Sequence, residues 1–131
     1  MTPLDVHHQA GPIAVTLVYL LFYYALQLYQ MRVENRLFRE YADRGEEFDR
    51  YFGQDREMLA ADRMQLNTLE HMPAFLVLLW TNAVFVGPRA TAIAGCVYVI
   101  ARILYPIFLG QRVGRQAPAR IVVATYLGYW C

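Results

Sequence analysis

The chain has 131 residues, 57% of them hydrophobic and 18% charged, a balance shifted away from the ~45–50% apolar and ~25% charged residues of soluble domains. Its net charge is +1, which argues against a nucleic-acid partner gripped by a basic surface. Two cysteines, Cys96 and Cys131, make no disulfide framework and stand at neither metal nor redox spacing.

Residues 1–11 lack Lys and Arg and carry Asp5, unlike a cleavable signal. His7 and His8 are adjacent and on a helix suit one ion poorly, so no metal is expected. Residues 12–31 hold no ionisable group except tyrosine. Twenty residues rise about 30 Å as a helix, the thickness of a hydrocarbon core. Residues 32–62 change character: fifteen of them are charged, from Arg32 to Asp62. Composition predicts a solvated loop here, with short amphipathic helical pieces broken at Gly45 and Gly53.

Residues 56–86 read as one long helix that starts polar and turns apolar, with its membrane part at 68–86. Gly87–Pro88 ends it, and Pro73 sits inside it, where a kink or the membrane entry is expected. A tight turn leads to a third span, residues 90–110, with a single charge at Arg102. Residues 111–117 form a short basic loop. A fourth apolar segment, residues 118–131, rises only about 21 Å. The fold class predicted is an all-α integral membrane protein, a single domain over residues 1–131 with four spans running up and down. Arginines gather in the first and third loops, which places both on the cytoplasmic side. All the basic residues are Arg, as in GC-rich bacterial coding; a bacterial inner membrane is expected, or an ER-type membrane in a eukaryote.

Helix two carries the informative pattern. At 100° per residue, Arg63, Asn67 and Glu70 fall within about 60° of one another. They make a polar stripe running from water into the membrane edge. An ionisable group such as Glu70 at that depth should face protein or a polar cavity and is a functional candidate. On span three, Tyr98, Arg102 and Tyr105 are spaced i, i+4, i+7 and share a face. Arg102 can pair with Glu70 as a structural ion pair, or snorkel from a packed aromatic face. A pocket that gathers Arg63, Asn67, Glu70, His71, Arg102 and Tyr105 with loop-three arginines suits a small zwitterionic or anionic ligand, because guanidinium forks hold carboxylates. Its apolar side would open to lipid and admit a greasy second substrate.

Two motifs carry a resemblance. Arg63-x-Gln65-x-Asn67-x-x-Glu70-x-x-Pro73-x-Phe75 resembles the second-helix signature of the MAPEG family, the membrane-associated proteins of eicosanoid and glutathione metabolism. Ala101-Arg102-x-Leu104-Tyr105 is similar to that family's third-helix motif. The resemblance implies a homotrimer of four-helix subunits that binds glutathione between subunits. It implies that Arg63, Gln65, Asn67, Glu70 and Tyr105 contact glutathione, with Gln65 serving a neighbouring subunit's site, His71 beside them, and Arg32 or Arg36 completing the set from the end of helix one. It assigns thiol activation to an arginine starting helix four, Arg120, with Arg115 and Arg112 as alternatives, and lets Tyr105 help position the thiol. The implied activity is a glutathione transferase, with possible peroxidase activity, acting on a lipophilic molecule. The alternative is a non-catalytic lipid- or glutathione-binding protein of the same fold. Leu109 stands where many relatives carry a second tyrosine, which favours that alternative.

Overall fold

The computed structural model describes residues 8–110, which form three helices: α1 (Ala10–Asp43), α2 (Arg56–Phe85) and α3 (Pro88–Gly110). All three pack on one another. The segment 118–131 and the arginines at 112, 115 and 120 lie outside the described residues.

The expected loop at 32–62 is corrected. α1 continues through residues 32–43, and the connection is only residues 44–55. The reason is periodicity. Val15, Tyr19, Leu26, Val33 and Leu37 are buried at spacings of four and seven, so one apolar stripe runs the helix's full length and overrides the charge density of its second half. At 34 residues, α1 is about 51 Å long and overshoots a ~30 Å hydrocarbon core by some 20 Å. It is long and apolar enough to cross a membrane. It ends just before Gly45, as expected there, with the Gly45 and Glu46 amides donating back to the Ala42 and Tyr41 carbonyls.

α2 matches the expected 56–86 helix almost to the residue. Asp55 caps its start, accepting from the Glu57 and Met58 amides at 2.9 and 3.1 Å, which satisfies two donors that the first turn would leave unpaired. Only Val86 and Gly87 separate α2 from α3. Gly87 sits at φ +136°, a conformation that side chains resist, so the hairpin turns sharply.

Two cores result. Val15, Tyr19, Phe75, Leu79 and Val99 meet where the three helices cross. Phe75 stacks on Tyr98 with ring centroids 4.3 Å apart, and Tyr19 tilts against Phe75 at 4.7 Å. Gly95 brings α3 close, since a Cβ there would lie 2.8 Å from both Leu79 and Val15. Lipid is as apolar as these side chains, so close packing rather than water exclusion holds this crossing. The second core joins the overhanging halves of α1 and α2 through Val33, Leu37, Met58 and Ala61, with Tyr41 and Phe48 against them. Charged residues surround it, and there the ordinary hydrophobic effect applies.

Candidate functional site

The stripe on α2 runs along the edge of the three-helix bundle, its charged members outward and its amide partly covered. Arg63 and Glu70 are exposed, and Asn67 and His71 are half-buried. Among the described residues, neither Arg63 nor Glu70 enters an ion pair. The Asn67 Oδ1 is buried without a hydrogen-bond partner among the described residues. A guanidinium, an amide oxygen and a carboxylate thus stand in sequence along two turns. This set complements a small peptide that carries carboxylates, amides and an ammonium group.

Arg102 corrects one expectation. It does not pair with Glu70. It is 3% exposed and donates from Nη2 to the backbone carbonyl of Asn67 at 2.7 Å. Its guanidinium lies 5.6 Å from the centre of the Tyr105 ring, and its Nε has no acceptor among the described residues. The i, i+3 spacing of Arg102 and Tyr105 places the ring against the cation, and Tyr105 is buried at 8% exposure. His71 lies within electrostatic reach of both Arg102 and Glu70. Asn67, Glu70, His71, Arg102 and Tyr105 are therefore linked through one neighbourhood. Arg63 continues the row toward water.

Gln65 points elsewhere, as its angle on the helix predicts. It donates from Nε2 to the Tyr23 hydroxyl at 2.9 Å, which also accepts from Gln27 at 3.1 Å. Arg36 is engaged by Glu57 and lies 3.7 Å from Glu40. The hydrogen bond and charge of Glu57 hold its guanidinium above the ordinary value. Arg32, the other candidate from helix one, is exposed and enters no ion pair among the described residues.

Sequence reasoning missed three features. Tyr19, one of several tyrosines in the first apolar run, is fully buried and donates to the Thr68 carbonyl at 3.1 Å. Tyr23 organises two glutamines. Arg50, one charge among many in the connecting segment, makes a two-pronged contact with Asp62 at 3.0 Å on each arm and reaches Glu34 at 3.2 Å. Gln30 adds a 2.6 Å bond to Asp62. Partial burial works to lower the Arg50 guanidinium, but the bonds and charges of Asp62 and Glu34 outweigh it and hold it above the ordinary value. A signal existed in the spacing. Tyr19, Tyr23, Gln27 and Gln30 repeat at four, four and three, a polar seam inside an apolar helix. Among the described residues, no cluster of three or more His, Cys, Asp and Glu is arranged to hold a metal ion.

Leukotriene C4 synthase of Bos taurus is 32% identical over 83 residues, 63% of this chain and 49% of that protein. An uncharacterized protein of Synechocystis is 46% identical over 43 residues, 33% of this chain and 31% of that protein. The matches thus span about half of the first relative's length and about a third of the second's. No solved structure matches the chain significantly. The MAPEG family matches residues 12–131, nearly the whole sequence and both motifs on α2 and α3, and the chain belongs to that family.

Proposed function

We propose that the protein is a membrane-bound glutathione transferase that activates the glutathione thiol for attack on a lipophilic electrophile. The observation that carries this reading is the α2 row: Arg63 and Glu70 are exposed and in no ion pair among the described residues, and the buried Asn67 amide oxygen between them has no hydrogen-bond partner there. In a family that uses glutathione as substrate, that row supplies a guanidinium for a carboxylate, an amide for the peptide backbone and a carboxylate for the ammonium. Because Arg63 and Glu70 face out of the bundle, a second subunit would close the site. This favours a homotrimer of four-helix subunits with glutathione at the seam. Arg32 or Arg36 and Gln65 would then meet it from the neighbour.

The chemistry needs a thiolate. A free thiol has a pKa of about 8.5, so little is ionised at neutral pH. Lowering it by ~2 units takes about 2.7 kcal/mol of differential stabilisation, within reach of one partly desolvated arginine. Arg120 is assigned that role, with Arg115 and Arg112 as substitutes, and Tyr105 orients the ligand's thiol end. The thiol gives its proton to solvent, the sulfur lone pair forms a bond to the electrophilic carbon, and the displaced group leaves with its electron pair. The electrophile enters from the lipid side.

Stopped-flow thiolate absorbance on mixing the detergent-purified protein with glutathione tests this, alongside conjugation of a chlorinated nitrobenzene. Thiolate formation that is lost in Arg120→Ala supports the assignment. Binding without turnover shifts the reading to a non-catalytic glutathione- or lipid-binding protein, which the leucine at 109 favours. Absence of binding overturns both.

A further inference from the structure

The stretch of α2 that bears Asn67 and Glu70 has a weakened backbone ladder and is held from outside. Pro73 lies inside the helix and has no N–H, so the Leu69 carbonyl lacks its helical donor. The Thr68 hydroxyl turns back onto the Met64 carbonyl at 2.9 Å, a contact that slightly loosens and bends helices. Between these two points, consecutive carbonyls are taken by side chains of different helices. Asn67 O accepts from Arg102 of α3 at 2.7 Å, and Thr68 O accepts from Tyr19 of α1 at 3.1 Å.

Both donors are buried, Arg102 at 3% and Tyr19 at 0% exposure. A guanidinium placed there carries a large desolvation cost, and a methionine or leucine would fill the same space without it. Its Nε finds no acceptor among the described residues, so bonding among them does not fully offset that cost. Stability alone does not account for the residue. What the contact does is fix the backbone of the turn whose outer face carries Asn67 and Glu70.

We propose that Arg102 and Tyr19 are positioning residues. By holding the Asn67 and Thr68 carbonyls from α3 and α1, they set the angle at which the Asn67 amide and the Glu70 carboxylate meet glutathione. The inference rests on the glutathione reading above. It also gives the two flanking helices a direct hold on the binding row through the backbone of α2.

The test measures glutathione affinity by calorimetry, turnover at saturating glutathione, and the thermal midpoint, on the full-length protein in detergent. Arg102→Met and Tyr19→Phe should each raise the glutathione Kd, by about tenfold for the first and less for the second, and in Tyr19→Phe turnover at saturation should stay near wild type. Arg102→Lys keeps an N–H donor and should recover most of the affinity. Tyr19→Phe removes one hydroxyl and keeps the testing possible if Arg102→Met does not fold. Folded variants that melt earlier but keep the wild-type Kd overturn the proposal, leaving the two bonds as bundle ties only. A wild-type protein that takes up no glutathione overturns the underlying reading as well, a result distinct from unchanged variants of a protein that does.

Discussion

Arg102 reaches the Asn67 carbonyl at 2.7 Å and leaves the Glu70 carboxylate, one turn further along α2, outside its ion-pair range. The choice of partner matters. A pair between the two would neutralise both inside the subunit and use up the carboxylate. Spent on a backbone oxygen, the guanidinium fixes the helix and leaves Glu70 to face outward. A buried cation and an exposed anion on neighbouring helices thus divide the labour between shape and recognition.

At Gly95 the three helices approach one another closely. An added Cβ would sit 2.8 Å from Leu79 and from Val15. Gly95→Ala should lower stability by about 1–3 kcal/mol through overpacking, read as an earlier thermal midpoint in detergent. Gly95→Leu should prevent assembly of the folded bundle.

Arg50 fastens the connecting segment to both helices through Asp62 and Glu34. The Arg50 side chain is 23% exposed and the Asp62 side chain 32%, so screening is partial. Arg50→Met should destabilise the overhanging halves of α1 and α2 by about 1–2 kcal/mol, since its bonds are charge-assisted but not fully buried. The Arg50 pKa is shifted upward, so its contribution fades as pH rises through the guanidinium value, and below that it is present only while both partners of each pair are charged. Faster amide exchange confined to residues 30–62 in Arg50→Met is the expected signature.

Asp55 caps α2 through Oδ1 and accepts from the Tyr41 hydroxyl through Oδ2 at 3.1 Å. Asp55→Ala should cost about 1 kcal/mol for the cap. Tyr41→Phe should cost less, because it removes only the second contact. Comparing the two melting curves separates the cap from the tie.

Arg32 and Arg36 are the two candidates for a helix-one contribution to the proposed glutathione site. Arg36 is already engaged by Glu57 and Glu40, and Arg32 has no such partner among the described residues. Arg32→Ala should therefore weaken glutathione binding more than Arg36→Ala does. Equal losses in a titration of the two variants would show that Glu57 releases Arg36 when ligand arrives.

Much of this was legible in the residues. The α2 helix, its tight turn into α3 and the alignment of Arg63, Asn67 and Glu70 along one side of α2 follow from periodicity and from Gly87–Pro88, whereas the outward exposure of Glu70 does not. The second half of α1 was hidden because charge density from Arg32 to Asp43 masks the apolar positions Val33 and Leu37, which have something to pack on only once α2 folds beside them. Arg102 was misread for a related reason. Sequence shows side chains, so a lone cation invites pairing with a carboxylate. The competing acceptor was a backbone oxygen, which any residue supplies and no residue type announces. Tyr19 and Tyr23 were obscured the same way, by an abundance of tyrosines with no mark on the two that donate or accept across helices.

The most direct measurement is calorimetric titration of the intact detergent-solubilised protein with glutathione, wild type beside Arg63→Ala and Glu70→Gln. Saturable uptake by the wild type, with affinity reduced at least about tenfold in each variant, is the predicted result. No uptake by the wild type, or equal affinity in all three, would contradict the account.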